Sequence, residues 1–329
     1  MKKVLKIIGI SLVGFLCILL LFCLIVVANG SCMKLYNNHG KDNSDWMSNI
    51  KDETLVNEIV MPGSHDAGSY KMVLLGETQQ FSIAEQLQMG VRYFDIRVNK
   101  IDDKYVIFHS IINGVEFLPI LKSIKEFIIT NPTETLLLDF QHFNGGSQEG
   151  VYKYIEEYLY DNNLVVVNNT NLSDLEFISN IKMKDARGKC IIFWGDRSND
   201  RSNFIFLRNN DNCTESRMTL NSYYVSEYHY KNIDYLVDNG YPIYFENIEN
   251  KIKSEHKGIF VLQAQLTDGK LIFGPYSKEK VNNKKISKII NSFKDDDRLE
   301  YLNVIMRDFL DMNKCDDIIN LNTYKGNFK

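Results

Sequence analysis

The sequence has little cysteine for its length, which excludes a fold held together by disulfide bonds. Only 6 of the 329 residues are cysteine, and two of these, Cys17 and Cys23, lie in an apolar run near the N-terminus. Disulfide-stabilised domains are small and carry a much higher density of cysteine. The stability of this chain must therefore come mainly from a hydrophobic core.

The chain also lacks a large excess of charge and any internal repeat or low-complexity segment. Its formal net charge is −4, and 24% of its residues are charged. This balance argues against nucleic acid as a partner, because nucleic-acid-binding surfaces are strongly basic. With 44% hydrophobic and 12% aromatic residues, the composition is that of a globular protein and not of a disordered one.

One stretch contains no charge at all, and it determines the predicted organisation of the chain. Residues 7–28 are uncharged and follow three lysines, and at about 1.5 Å per residue they are long enough to cross a bilayer. We expect an uncleaved single-pass anchor with the globular domain outside the cytoplasm; secretion after signal cleavage is the alternative. The predicted parts are a cytoplasmic tail (1–6), a transmembrane anchor (7–28), a polar stalk (29–54) and one domain (55–329).

After the stalk, short apolar runs alternate with longer amphipathic stretches. Eight runs have the length and composition of strands: 58–61, 91–98, 105–109, 135–140, 189–194, 204–207, 258–266 and 302–309. Strands that alternate with helices form parallel sheets, and eight such strands predict an α/β fold of the TIM (β/α)8 barrel type. A doubly wound open sheet is the alternative.

Polar residues that could do chemistry recur where the predicted strands end. His65 and Asp66 follow the first strand, His109 closes the third, Gln141 and His142 follow the fourth, and Asp308 lies in the last. The carboxyl ends of barrel strands converge on one mouth, so these residues are expected to meet there. Histidines near neutral pKa with adjacent carboxylates indicate general acid and base chemistry.

Within the second predicted strand, Asp95 and Arg97 are two residues apart and therefore point to the same side. An arginine held by a carboxylate in a confined mouth can stabilise negative charge on a phosphoryl group. A structural ion pair is the alternative interpretation of the two residues.

Several motifs together resemble the X domain of the phosphatidylinositol-specific phospholipase C family, including small proteins that contain little more than this domain. They are Gly-Ser-His-Asp-Ala-Gly (63–68), Thr-Gln-Gln (78–80), Gly-Val-Arg-Tyr-Phe-Asp-Ile-Arg (90–97), Phe-His (108–109), Asn-Pro-Thr-Glu-Thr (131–135), Leu-Asp-Phe-Gln-His-Phe (138–143) and Phe-Trp-Gly-Asp-Arg (193–197). The strong part covers about residues 58–145, and a weaker match extends to 304–309. The resemblance implies a distorted TIM barrel in a single domain.

The resemblance also implies roles for the two histidines. His65 would deprotonate the inositol 2-hydroxyl, oriented by Asp308, and that oxygen would attack the phosphodiester. His109, aided by Asp66, would protonate the departing diacylglycerol oxygen. The products would be inositol 1,2-cyclic phosphate and diacylglycerol, released from phosphatidylinositol or a glycosylphosphatidylinositol anchor in a phospholipid membrane. The enzyme would then be a phosphorus-oxygen lyase.

In the same scheme Arg97, braced by Asp95, would stabilise the transition state and occupy a place where calcium-dependent relatives carry acidic ligands. No metal or other cofactor is therefore expected. Gln141 or His142 stands where the family has an inositol-contacting lysine, and Arg197 is an approximate match for an inositol-contacting arginine, so head-group specificity stays open.

Two other functions remain open at this point. One is a metal-dependent glycerophosphodiesterase or sphingomyelinase-like barrel, which the Asp-x-Arg pair argues against because a metal site would favour a second acid. The other is a catalytically silent, membrane-tethered module that binds lipid or glycan.

Overall fold

The computed structural model describes residues 11–24, 42–72, 76–195, 202–208, 218–222, 233–252, 257–266 and 274–329. The strands in these residues are β1 (Met61–Ser64), β2 (Tyr93–Ile101), β3 (Lys104–His109), β4 (Ile112–Glu116), β5 (Thr135–Asn144), β6 (Lys189–Trp194), β7 (Ile205–Arg208), β8 (Met218–Asn221), β9 (Ile259–Gln263) and β10 (Val304–Arg307). The helices are α1 (11–24), α2 (Ile83–Met89), α3 (Phe117–Thr130), α4 (Gln148–Tyr158), α5 (Asp174–Asn180), α6 (Met183–Ala186), α7 (Ile233–Tyr235), α8 (Tyr241–Ile252), α9 (Gly274–Ser292), α10 (Met312–Ile319) and α11 (Leu321–Tyr324).

Eight of these strands close into a parallel barrel, as the sequence predicts. The order around the ring is β1-β2-β5-β6-β7-β8-β9-β10, and the pairing of β10 with β1 closes it. Every pairing within the ring is parallel. All the carboxyl ends therefore open on one mouth, which confirms the predicted TIM-type barrel.

One predicted barrel strand lies outside the ring. The run predicted at 105–109 is β3, which pairs antiparallel with β2 and with β4 in a hairpin. The eighth strand of the ring is instead β8, between β7 and β9, which the prediction missed because the alternation of its four residues (Met-Thr-Leu-Asn) is too short to stand out from a loop. His109 thus ends a hairpin strand and not a barrel strand.

Helices begin where the local sequence predicts them. Ser82 caps α2 with a capping box: its hydroxyl accepts from the Glu85 N–H (3.3 Å), and the Glu85 carboxylate accepts from the Ser82 N–H (2.8 Å). The helix ends at Gly90, whose φ of +103° is a conformation that glycine adopts without strain. This brings the chain directly into β2.

The interior of the barrel is filled by side chains, and β1 contributes a glycine because the space is already taken. A Cβ on Gly63 would lie 2.7 Å from Val304 Cγ1 and 3.0 Å from Tyr93 Cδ1. Tyr93 itself is fully buried, and its hydroxyl donates to Asp139 on the neighbouring strand β5. Larger residues at position 63 would displace the strands that carry the site.

Residues 42–54, predicted as the end of a polar stalk, are instead packed against the barrel. Trp46, Met47 and Ile50 are buried, and Ile50 forms a β-bridge with Phe328 near the C-terminus. The segment is polar overall, and the residues that these three side chains contact are far away in sequence, so their burial could not be predicted from the local pattern. The folded domain thus includes residues assigned to the stalk.

The described residues contain no helix with both the length and the apolar character needed to cross a bilayer. This contradicts the predicted single-pass localisation, and the predicted transmembrane anchor at 7–28 is not confirmed. Only residues 11–24 of that stretch lie within the described part, where they are helical.

Candidate active site

His65 and Asp308 form a buried pair because β1 and β10 are neighbours in the ring. Ser64 pairs with Arg307, so the next residue of each strand extends into the mouth. The His65 Nδ1 and Asp308 Oδ1 atoms are 2.7 Å apart, which places a proton on Nδ1 and leaves Nε2 available for exchange. Burial lowers the pKa of His65, but the carboxylates of Asp66 and Asp308 outweigh burial and raise this pKa to about 9.

Asp66 lies between the two histidines. Its Oδ2 atom is 3.3 Å from His65 Nε2 and 3.6 Å from His109 Nε2. Both carboxylate oxygens are buried and, although within ion-pair distance of these rings and of Arg97, make no hydrogen bond of good geometry. The residue has a φ of +44°, an uncommon conformation for a non-glycine residue that aspartate tolerates better than most. The carboxylate can therefore interact with either ring as its charge changes.

His109 reaches the mouth from the β3–β4 hairpin. Its Nδ1 lies 3.0 Å from the carbonyl oxygen of Gly76. Because a carbonyl can only accept a hydrogen bond, Nδ1 carries a proton and Nε2 faces Asp66. Ser110 follows with a φ of +55°, so the chain turns sharply directly after the histidine. The two histidines thus present their Nε2 atoms to the same carboxylate oxygen, Asp66 Oδ2.

Arg97 is held by two carboxylates, as the alternation of β2 predicts for Asp95. Its Nη2 donates to Asp95 Oδ2 (2.7 Å), and its Nε lies 2.6 Å from Asp66 Oδ1. Burial lowers the pKa of Arg97, but Asp66 and Asp95 outweigh it and raise this pKa. Burial also raises the pKa of Asp95, while the Arg97 cation outweighs it and lowers this pKa to about 2. The arginine is a fixed cation in the mouth.

A β-bulge places Gln141 against this arginine. Ile96 pairs with Phe140, but Arg97 pairs with His142, so β5 has one extra residue at this point. The freed Gln141 turns its Oε1 to accept from Arg97 Nη2 at 3.0 Å. His142 follows at the rim, where desolvation and the nearby Arg97 lower its pKa. Both predicted substrate-binding residues of β5 lie at the mouth.

A second buried ion pair lies deeper in the barrel, and sequence reasoning missed it as part of the site. Asp139 accepts from the Tyr93 hydroxyl (2.7 Å), and its Oδ1 lies 2.9 Å from Arg208 Nε. Asp139 pairs with Asp95 on the neighbouring strand, so both carboxylates face the interior. Two signals in the sequence could have identified this pair. Asp139 is a lone carboxylate inside the apolar run 136–140, and Arg208 is the last residue of the strand at 205–208.

Arg197, predicted to contact the head group, lies outside the described residues, as does the segment from Tyr223 to Tyr230. The other predicted residues, namely His65, Asp66, Asp95, Arg97, His109, Gln141, His142 and Asp308, all lie at the mouth described above.

Three residues of the mouth have side chains that could bind a metal ion. His65, Asp66 and Asp95 each have a potential ligand atom within 4.8 Å of the others. The Arg97 guanidinium already approaches both carboxylates at 2.6 and 2.7 Å, so a cation at this place would meet a buried positive charge. The residues therefore suit an anionic substrate group better than a divalent cation.

Residues 54–195 match the family model described as "Phosphatidylinositol-specific phospholipase C, X domain". A 1-phosphatidylinositol phosphodiesterase of Listeria monocytogenes is 29% identical over 158 residues, covering 45% of this chain and 47% of the relative. One from Staphylococcus aureus is 28% identical over 166 residues, covering 46% of this chain and 51% of the relative. The chain thus aligns with about half the length of these curated relatives. The family resemblance is confirmed over the matched residues.

Solved structures show a similar fold over more of the chain. The phosphatidylinositol-specific phospholipase C of Listeria monocytogenes superposes with a TM-score of 0.62 at 20% identity, covering 85% of this chain and 99% of that one. The corresponding Staphylococcus aureus enzyme, solved as a mutant, gives a TM-score of 0.64 at 21% identity and covers 87% of this chain and 98% of that one. At this identity the likeness supports the barrel fold alone.

Proposed function

We propose that this chain, which matches the phosphatidylinositol-specific phospholipase C X domain over residues 54–195, cleaves phosphatidylinositol or a glycosylphosphatidylinositol anchor without a metal ion. The products are inositol 1,2-cyclic phosphate and diacylglycerol. The observation that carries the proposal is the arrangement of His65 and His109, whose Nε2 atoms lie 3.3 and 3.6 Å from one oxygen of Asp66, with Arg97 beside them.

In the proposed reaction, the neutral form of His65, whose Nε2 carries no proton, takes the proton of the inositol 2-hydroxyl while Asp308 holds the ring through Nδ1. The 2-oxygen attacks phosphorus, and the bond from phosphorus to the glycerol oxygen breaks. His109 Nε2 supplies the proton that the leaving diacylglycerol oxygen needs. One base and one acid are thus used, and no water is consumed in this step.

Arg97 is proposed to stabilise the negative charge that spreads over the phosphoryl oxygens. Its guanidinium is fixed by Asp66 and Asp95 before the substrate arrives, so little reorganisation is needed during the reaction. Gln141 accepts from Nη2 of the same guanidinium and, with His142, is proposed to contact the head group. Arg197 remains a predicted head-group contact.

Product analysis of the purified full chain tests the proposal. Vesicles of phosphatidylinositol are expected to yield inositol 1,2-cyclic phosphate, detected by ³¹P NMR, with equal rates with and without EDTA. Phosphatidylcholine vesicles should give no product, because choline has no hydroxyl placed to attack phosphorus and close a ring.

Other outcomes identify the competing functions. Loss of turnover in EDTA with recovery on adding calcium would indicate a metal-dependent diesterase. Turnover of glycerophosphoinositol, or of phosphatidylcholine, without a cyclic product would indicate a glycerophosphodiesterase or sphingomyelinase-like reaction. Vesicle binding without turnover of any diester would indicate a silent lipid-binding module.

A further inference from the structure

Gln79 is a buried amide that joins the two segments carrying the His65–Asp308 pair. Only 1% of the residue is exposed. Its Nε2 donates to the carbonyl oxygens of His65 (2.9 Å) and Arg307 (3.0 Å), and its Oε1 accepts from the Leu310 N–H (3.1 Å). One side chain therefore contacts the backbone on both sides of Asp308 and at His65 itself.

The neighbouring Thr78 reinforces the same link. Its hydroxyl lies 3.2 Å from the carbonyl oxygens of both His65 and Asp66, and its own carbonyl accepts from the Phe309 N–H at 2.7 Å. Residues 78–79 thus lie between the ends of β1 and β10 and hydrogen-bond to both. No helix or strand includes these two residues; their side chains and the Thr78 carbonyl add to the backbone hydrogen bond from His65 N–H to the Arg307 carbonyl (3.2 Å).

The backbone on each side needs such support. Asp66 and Phe309, which directly follow the two paired residues, have φ values of +44° and +45°. For residues other than glycine such conformations are strained and persist only where surrounding contacts hold them. Thr78 hydrogen-bonds to the backbone of both Asp66 and Phe309, and Gln79 hydrogen-bonds to residues next to them in sequence.

We propose that Gln79 is a positioning residue that sets the distance between His65 Nδ1 and Asp308 Oδ1. The role requires a neutral amide, since only an amide offers two donors to carbonyls and one acceptor to an N–H from the same group. A glutamate would direct carboxylate lone pairs at two carbonyl oxygens. The catalytic meaning of this role rests on the proposed function, whereas the geometric role does not.

The test compares the full chain with Gln79→Met, which keeps the shape and removes the hydrogen bonds, and with Gln79→Glu. The expected results are a fall in the His65 pKa from about 9, measured by histidine-ring NMR, and a roughly 10–100-fold fall in kcat with KM nearly unchanged. The physical reason is that separation from Asp308 removes one of the charges that raise this pKa. Gln79→Asn, which keeps the amide but shortens its reach, should shift both quantities less and serves if the other variants do not fold.

Asn322 supplies a matched control at the opposite end of β1. It is also a fully buried amide with three backbone hydrogen bonds, to the N–H and C=O of Val60 and to the carbonyl of Ile319. Asn322→Leu should lower stability as Gln79→Met does while leaving the His65 titration and kcat unchanged.

The result that overturns the proposal is a folded Gln79→Met protein with the wild-type His65 titration, or an Asn322→Leu protein with the same shift. If the wild-type chain cleaves no phosphodiester, the proposed function fails, but the NMR titration still decides whether Gln79 positions the pair.

Discussion

His65 has two anionic neighbours in a buried setting, and this makes its protonation part of the stability of the fold. Asp308 contacts Nδ1, and Asp66 approaches Nε2. The folded pKa of about 9 lies above the ordinary value of 6.5, so folding favours the protonated ring. The corresponding stabilisation is fully present below pH 6.5 and is lost as pH rises through 9.

We therefore predict that the contribution of His65 to the free energy of unfolding falls by about 3 kcal/mol as the pH rises from 6.5 to 9. Lys325 acts in the opposite direction, because burial and then the charge of Lys257 lower its pKa to about 7. Lys325 contributes equally in the wild-type protein and in Asp308→Asn, so its effect cancels when the two are compared. Urea unfolding should show that the free energy of unfolding falls less with rising pH in the variant. Parallel pH profiles for the two proteins would contradict the predicted coupling.

The proposed acid and base can be separated by the leaving group of the substrate. His109→Asn is expected to lower kcat on phosphatidylinositol about 10²–10⁴-fold, because the diacylglycerol oxygen then departs without a proton. A substrate with a nitrophenol leaving group needs no proton, so the same variant should lose far less. His65→Asn should lose activity on both substrates. Equal losses for both variants on both substrates would show that the roles are misassigned.

At the scale of single elements, a β-bulge and a hairpin, rather than regular barrel strands, bring two of the site residues to the mouth. The extra residue of β5 brings Gln141 to Arg97, and the β3–β4 hairpin carries His109 over the mouth. Helix α2 supports the loop after His65, because its Gln86 donates to the carbonyl of Ala67 at 2.9 Å. The integrity of α2 is thus linked to the position of the first histidine.

The N-cap of α2 gives a test at this scale. Ser82→Ala is expected to lower the free energy of unfolding by about 1 kcal/mol, since the Glu85 N–H loses its acceptor. Ser123→Ala is the control, because the Ser123 hydroxyl only bonds the carbonyl of Pro119 within the same helix. Urea unfolding that gives equal values for the two variants would contradict a capping role.

For the whole molecule, a buried arginine just before β2 joins several segments at the end of the barrel opposite the mouth. Arg92 pairs with Glu134 at 2.7 Å and donates to the carbonyls of Asn43, Ser44 and Leu87. It therefore connects the segment before β1, helix α2 and the start of β5. Both members of the pair are fully buried, so neither charge can be satisfied by water if its partner is removed.

We predict that Arg92→Met lowers the free energy of unfolding by roughly 3–5 kcal/mol, because Glu134 is left as an uncompensated buried charge. Turnover measured at a temperature where the variant is folded should stay near wild type, since the mouth is at the other end of the barrel. A change in kcat as large as that in stability would contradict this separation of the two ends.

The sequence by itself determined the features that depend on near neighbours. Alternation along β2 placed Asp95 and Arg97 on one side, the Ser82–Glu85 spacing gave a helix start, and alternating strand and helix patterns gave the barrel. These inferences succeeded because side-chain direction within an element follows from its local period. The motif around His65 was placed at the barrel mouth because it follows the first predicted strand.

Only the tertiary structure decided which distant groups meet. The approach of His109 to Asp66, the pairing of Asp139 with Arg208 and the link through Gln79 join residues far apart in sequence. It also placed Trp46 in the folded domain rather than in a stalk. Such contacts are set by strand order and by packing in three dimensions, and hydrophobic periodicity carries no information about either.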